Sequence, residues 1–299
     1  MPVKTWSTPV TKERNRAVPC AVCGAGHFVP HYRCEHSFEY VRCGRCGLVQ
    51  INPQPLREEV ARRYGAGAEK KEKSAYLAYE LANEKTFLRL QELSLRDSGF
   101  LRLEKKLLVY NGRPRILDIG CASGAMLETL LRRGWDAEGV EISPAQAEYC
   151  KNRGLRVSSL PLEENHFPDN HFEAVLASHV IEHLNDPALF VKEIYRVLKP
   201  QGRCFITTPN IDGLQSKIFK GAWRSAIFDH LYLFSKKTLR MLLETSGLIP
   251  EKTITWGGLA LGAGPKPLKK PLDFLAKRLG AGDVMLIRAV KNPARRTRA

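Results

Sequence analysis

Arg115-Ile-Leu-Asp-Ile-Gly-Cys-Ala-Ser-Gly124 is the stretch that decides how the rest of the chain is read. Arg115 to Gly120 is a short apolar strand. It runs directly into a glycine-bearing turn, and a helix is expected over Ala125 to Arg133. Strand, tight turn and helix are the opening of a nucleotide-binding βαβ unit. Such a loop is a weak sign alone, but its surroundings strengthen it. A second strand, Asp136 to Ile142, carries Glu141 about twenty residues past the loop, where an acidic side chain can accept hydrogen bonds from both ribose hydroxyls. The alternative is a solvated strand end and glycines that only permit a turn.

Working outward, Pro144 opens a helix at its first turn, as proline can. Further strands are expected at Arg156 to Ser159, Phe172 to Ser178, Arg203 to Thr208, Leu248 to Trp256 and Val284 to Val290, most of them separated by helices. That alternation predicts an α/β fold: a Rossmann-like, mainly parallel seven-stranded sheet with helices on both faces.

The N-terminal part carries a different signature. Cys20-Ala-Val-Cys23-Gly and Cys43-Gly-Arg-Cys46-Gly are two Cys-x-x-Cys knuckles with nineteen residues between them, Tyr40-Val-Arg42 among them as a strand. A glycine after each pair relieves a turn whose amides point at sulfur. Cys20, Cys23, Cys43 and Cys46 predict one tetrahedral structural Zn²⁺ in a small zinc ribbon, with no open position for catalysis. A redox dithiol is the competing reading, and His27, His31, Cys34 and His36 are substitute ligands. Helices are expected at Leu56 to Tyr64 and Glu72 to Leu95, and Asn111-Gly112 with Pro114 mark a turn. The expected organisation is a ribbon over 1–55, a helical linker or cap over 56–112, the Rossmann-like domain over 113–292 and a basic tail over 293–299.

The 299 residues are 43% hydrophobic, enough for a filled core and against global disorder. No apolar run marks a signal peptide, and Thr253 to Pro265 is too short and Gly-rich to span a bilayer, so a cytoplasmic protein is expected. The net charge is +16 and lies on the flanks. Residues 1–114 hold 20 basic against 12 acidic residues, 115–264 hold 17 against 17, and 265–299 hold 10 against 2. This pattern suggests an anionic partner or only a solvated surface.

Residues 117–124 resemble motif I of the class I S-adenosylmethionine-dependent methyltransferases. Phe167-Pro-Asp-Asn-His-Phe172, Ile181-Glu-His-Leu-Asn-Asp-Pro187 and Val197-Leu-Lys-Pro-Gln-Gly202 resemble that class's later signatures. Thr208-Pro-Asn210 and His230-Leu-Tyr-Leu-Phe234 resemble its zinc-ribbon-bearing subgroup, near bacterial sugar, quinone and secondary-metabolite methyltransferases. The resemblance implies S-adenosylmethionine as cofactor. It places Asp118, Gly120, Cys121 and Gly124 by the methionine part, Glu141 and Ile142 by the ribose, Ser159 and Leu160 by the adenine, and Ser178 with His179 by the methyl group. Ala122 stands where such loops often have a third glycine, and its methyl is small enough to keep the backbone close.

For a hydroxyl acceptor a base is needed, and the candidates are His179, Glu182, His183 and His230. A shared helical turn can bring the first three to one face, and Asp229 can orient His230. Three readings stay open: a direct histidine base, a divalent ion such as Mg²⁺ on these four residues, or a structural helix cap. Quinone and small-RNA methyltransferases carry a glutamate where His179 stands, which counts against Mg²⁺. The expected activity is methylation of a small or lipid-linked, anionic metabolite, at an oxygen of a sugar, glycan or secondary metabolite. The basic segment Lys266 to Arg278 can lie over the substrate opening or on a membrane surface. The alternatives are an RNA methyltransferase, which a ribbon poor in stacking aromatics speaks against, and a non-catalytic scaffold.

Overall fold

The computed structural model describes residues 15–33, 38–64, 70–257 and 276–292. Cys34, His36, most of Lys266 to Arg278 and all of Arg295 to Arg298 lie outside them.

All seven expected strands form one sheet, in the spatial order Leu248–Trp256, Val284–Lys291, Leu198–Pro209, Phe172–Ser178, Arg115–Ile119, Asp136–Val140, Val157–Ser158. Only Val284–Lys291 is reversed, antiparallel to both neighbours. Phe172–Ser178 is buried over its first six residues and Arg115–Ile119 over its last four. Such unbroken burial, which takes in Glu173 and Asp118 among the apolar residues, suits central strands covered on both faces, where alternation would expose one side.

One face is covered by a long helix, Lys70–Ser98, and a second, Phe100–Asn111, that the sequence reading left out. Gly99 separates them in a left-handed conformation, φ 89°, which costs glycine little. Phe100 stacks on Trp135 at 5.6 Å and meets Phe205 edge-on at 5.3 Å. Trp135 donates its indole N–H to Glu104 Oε1 at 2.8 Å. Leu95 and Phe100 thus share a core with Ile116, Leu127 and Leu130, and residue 112 does not separate two cores.

The ribbon is not self-contained either. Its sheet runs Tyr232–Leu233, Val49–Ile51, Glu39–Cys43, Phe28–Arg33, so its edge strand comes from residues nearly two hundred positions later. Tyr40, Leu48, Val49 and Ile51 pack in the same buried cluster as Leu231 to Phe234. Among the described residues, no helix is long and apolar enough to cross a membrane.

Candidate cofactor cradle and histidine cluster

The strands Arg115–Ile119, Asp136–Val140, Val157–Ser158 and Phe172–Ser178 are mutually parallel. Their C-terminal ends therefore share one edge, the usual ligand-binding edge of such sheets. Asp118, Gly120, Cys121, Gly124, Glu141, Ile142, Ser159, Leu160 and Ser178 all lie at it or in the turns that follow.

The turn after Ile119 is pinned by N–H donors of Gly120 and Cys121 to the Val140 carbonyl, at 2.7 and 3.2 Å. Gly120 and Gly124 are left-handed, φ 72° and 80°. A Cβ at Gly120 would stand 2.5 Å from Val180 Cγ2, and one at Gly124 2.5 Å from Leu155 Cδ1. Both backbone angles favour glycine, and a Cβ at either position would also have to displace a neighbouring side chain. Ala122 is left-handed too, φ 48°. Its difficulty is backbone angle and not methyl size, a cost of order 1 kcal/mol for a residue with a Cβ.

Glu141 closes the turn. Its Oε2 accepts from Ala122 N–H at 3.0 Å and its Oε1 from Ser143 N–H at 2.8 Å. Each oxygen has a second lone pair that a ribose hydroxyl can use. Burial pushes the Glu141 carboxyl up, against those two donors. Asp118, 2% exposed, lies close by. Burial, and then the Glu141 charge, push its carboxyl up to about 7. Two buried carboxyls with no ion-pair partner among the described residues are the complement of a positively charged ligand, and a sulfonium bearing an α-amino group is one. The residues fit S-adenosylmethionine on that ground.

Beside Ser178, His179 sits in a left-handed conformation, φ 55°, its N–H donated to the Thr207 carbonyl at 2.9 Å. Its side chain is 46% exposed, while Glu182 is fully buried and holds Oε1 3.1 Å from His179 Nδ1. The Thr208 hydroxyl donates to Glu182 Oε2 at 3.0 Å. Burial opposes ionisation of Glu182, but the His179 hydrogen bond and the surrounding imidazoles outweigh it and hold the carboxyl down at about 2. An ionised Glu182 fixes the proton of His179 on Nδ1 and makes Nε2 the acceptor nitrogen.

His183 and His230 lie deeper. His183 Nδ1 is 2.8 Å from the Asp229 carbonyl, His230 Nδ1 is 2.8 Å from the Ser225 carbonyl, and the rings meet edge-on at 4.7 Å. A carbonyl only accepts, so both Nδ1 atoms carry the proton. The ring of His230 is enclosed, although the residue as a whole is half-buried. Burial, then the neighbouring His183, pull it down to about 3, so it is neutral. Two expectations change here. Ser225 orients the His230 ring, and Asp229 contributes its backbone carbonyl to His183. The helical turn is a short 3₁₀ segment, Ile181–His183, which His179 precedes. Ligand atoms of Glu182, His183 and His230 lie within 4.8 Å of one another, and His179 is not of that group.

In the ribbon, the sulfurs of Cys20, Cys23, Cys43 and Cys46 also lie within 4.8 Å of one another, with Cys20–Cys46 at 3.4 Å and Cys23–Cys43 at 3.5 Å. A Zn–S bond of about 2.3 Å in a tetrahedron puts sulfurs about 3.8 Å apart, so these four fit one Zn²⁺. Leu48 N–H points at Cys46 Sγ at 3.4 Å, as the glycine-relieved turn requires.

Thr208, Ser225 and Tyr40 join the site only in the folded chain. Thr208 lies in Thr208-Pro-Asn210, whose spacing does not show that its hydroxyl meets Glu182. A carbonyl such as that of Ser225 has no sequence signal at all, because any residue supplies one.

A parallel sheet with this turn, this acidic strand end and a histidine-lined edge defines the class I S-adenosylmethionine-dependent methyltransferase fold. Residues 75–252 match the methyltransferase-domain family, and the chain belongs to it. The mitochondrial ubiquinone biosynthesis O-methyltransferase of Rattus norvegicus is 38% identical over 155 residues, 48% of this chain and 39% of that protein. The demethylmenaquinone methyltransferase of Tropheryma whipplei (strain Twist) is 29% identical over 116 residues, 38% of this chain and 48% of that protein. The chain thus spans less than half the length of either relative. A chain from the Haloferax volcanii complex of the Trm112 methyltransferase activator with a methyltransferase has a similar fold. Its TM-score is 0.54 at 16% identity, covering 77% of this chain and 100% of that one.

Proposed function

We propose that this chain transfers the methyl group of S-adenosylmethionine to a hydroxyl oxygen of a small molecule, with His179 as general base. The observation that carries the reading is the His179–Glu182 pair at the C-terminal end of Phe172–Ser178: a half-exposed imidazole oriented by a buried, ionised carboxylate. Base, orienting acid and cofactor edge are then in one place.

S-adenosylmethionine brings an activated methyl on a sulfonium, so the protein is left with placement and proton removal. In this reading Asp118, Gly120, Cys121 and Gly124 border the methionine part. Glu141 and Ile142 hold the ribose, and Ser159 and Leu160 flank the adenine. Ser178 and His179 face the methyl. His179 takes the hydroxyl proton on Nε2 as the oxygen–carbon bond forms and the carbon–sulfur bond breaks. Glu182 stabilises the resulting imidazolium through Nδ1–H, and Thr208 holds Glu182.

The ubiquinone O-methyltransferase relatives favour oxygen as the acceptor atom. The basic flanks favour an anionic or lipid-linked acceptor on a sugar, glycan or secondary metabolite, in the cytoplasm, where thiols gathered for a metal persist. One feature favours a second reading of the same site. Glu182, His183 and His230 offer a carboxylate and two imidazoles whose Nδ1 protons rest on backbone carbonyls, the usual support of a metal-ligating histidine. That donor set suits Zn²⁺ or Fe²⁺ better than Mg²⁺, which prefers oxygen and water. A bound ion would polarise the acceptor oxygen. Elemental analysis separates the two: a second metal per chain that disappears in His230→Ala establishes the ion.

For the base itself, methyl-labelled S-adenosylmethionine is given with a small-molecule extract to wild-type protein and to His179→Ala. Labelling is expected to fall roughly a hundredfold or more, with S-adenosylhomocysteine affinity unchanged. Equal labelling by both proteins removes His179 from the role.

A further inference from the structure

We infer that the ribbon is a positioning part of the histidine cluster, with Tyr40 holding His230 in place. The inference rests on the proposed function, in which Glu182, the neighbour of His183 and His230, orients the base. Tyr40 is fully buried, and its hydroxyl lies 2.6 Å from the His230 carbonyl and 2.9 Å from the Ile227 carbonyl. Among the described residues, it is the ribbon side chain whose hydroxyl meets the backbone of a cluster residue.

The grip and one of the sulfurs share a strand. Tyr40 and Cys43 both lie on Glu39–Cys43, buried at its second and fifth positions, so Tyr40 is set on the strand that delivers one of the four sulfurs. Cross-strand, Tyr40 pairs with Ile51, whose N–H donates to the Leu231 carbonyl at 2.9 Å. Gln50 and Val49 then pair with Tyr232 and Leu233. Gln50 is buried and also reaches the first knuckle, accepting from Ala21 N–H and donating to the Pro19 carbonyl, both at 3.4 Å. The segment 230–233 is therefore bound to the ribbon on four successive residues. From the other side, the Asp229 carbonyl receives His183 Nδ1. The ring of His230 meets His183 only if its backbone stays where Tyr40 and the strand pairing hold it. The four sulfurs thus support the chemistry without touching it: they fix the strand, the strand fixes Tyr40, and Tyr40 fixes His230.

Loss of one hydroxyl tests this without removing a ring or a ligand. Protein with ¹⁵N-labelled histidine, zinc-loaded and saturated with S-adenosylhomocysteine, is examined by NMR for the His230 Nδ1–H. In Tyr40→Phe that proton is expected to exchange with solvent about fivefold faster, the effect of one lost hydrogen bond on a local opening. S-adenosylhomocysteine affinity stays within about twofold, because the hydrogen bonds described for the cradle, from Gly120 to Ser143, do not run through the Tyr40 hydroxyl. Tyr232→Phe is the control. Its hydroxyl bonds the Asn185 carbonyl at 3.0 Å at the same seam, and its removal is expected to leave the His230 signal alone. An unchanged signal in Tyr40→Phe, or an equal change in both variants, overturns the inference. If Tyr40→Phe does not fold, a chelator is titrated into wild-type protein. Faster His230 exchange in step with loss of ribbon metal supports the inference, and metal loss without it overturns the inference. Absence of S-adenosylhomocysteine binding in the wild type would instead sink the cofactor reading, a separate result.

Discussion

On the proposed cofactor side of the sheet edge, one continuous stretch from Asp118 to Ser143 supplies the turn, the acid and the hydrogen bonds between them. On the proposed acceptor side, Tyr40, His179 with Glu182, Thr208, and Ser225 with His230 come from four separate parts of the chain. The first region can form from local backbone geometry with a single strand pairing. The second exists only when the ribbon, the sheet and the loop before Tyr232 have all assembled. The difference teaches that damage to the ribbon and damage to the cradle should have separable consequences, although both regions lie along one sheet edge.

The largest expected effect breaks the comparison from the ribbon side. Cys43→Ser is expected to abolish stoichiometric zinc, measured by elemental analysis, and to cost several kcal/mol of ribbon stability. S-adenosylhomocysteine binding should survive it. A full zinc equivalent in the folded variant contradicts the four-cysteine site, and loss of cofactor binding contradicts the separation.

From the cradle side, Glu141→Ala is expected to weaken S-adenosylhomocysteine by about 1–3 kcal/mol in calorimetry, the range for losing hydrogen bonds to a charged group. Because the same oxygens hold Ala122 and Ser143, Glu141→Gln, which keeps one acceptor, should lose less. Unchanged affinity in Glu141→Ala takes this residue out of the cofactor site.

Asp118 adds a pH dependence. Its carboxyl rises from the ordinary 3.8 to about 7 in the folded, ligand-free chain. Between those values the folded chain binds the extra proton, so ligand-free stability falls as pH rises from about 4 to about 7 and then levels off. A cationic ligand prefers the carboxylate, so its binding releases that proton. Affinity for S-adenosylmethionine should therefore climb with pH by up to about tenfold per unit below pH 7 and flatten above it. Calorimetry across that range showing no slope, or a falling one, contradicts the assignment.

The smallest effect is Ala122→Gly. It relieves the left-handed angle but frees the unfolded chain, and a net stabilisation of about 1 kcal/mol or less is expected in thermal melts. Clear destabilisation would mean that the Ala122 methyl packs usefully.

These regions also differ in how legible they were. Residues 115–124 and the central strands could be read because parallel strands covered on both faces are mostly apolar and the turn needs glycine at set places. The four cysteines were legible for a similar reason, since their spacing is itself the ligand geometry. The histidine cluster was legible only as a list of names. That Glu182 would face inward to His179, that Ser225 and not Asp229 would orient His230, and that Tyr40 would grip its carbonyl all depend on backbone carbonyls and long-range pairing. Ala122 shows a subtler failure: residue size can be judged from sequence, whereas a positive φ cannot.

The central claim, methyl transfer to a small molecule, is tested most directly by following label. Wild-type protein is incubated at physiological salt with methyl-labelled S-adenosylmethionine, a metabolite extract and total cellular RNA, and the fractions are then separated. The account expects label in the small-molecule or lipid fraction and none in RNA. Label in RNA alone, with none in the extract, would contradict it.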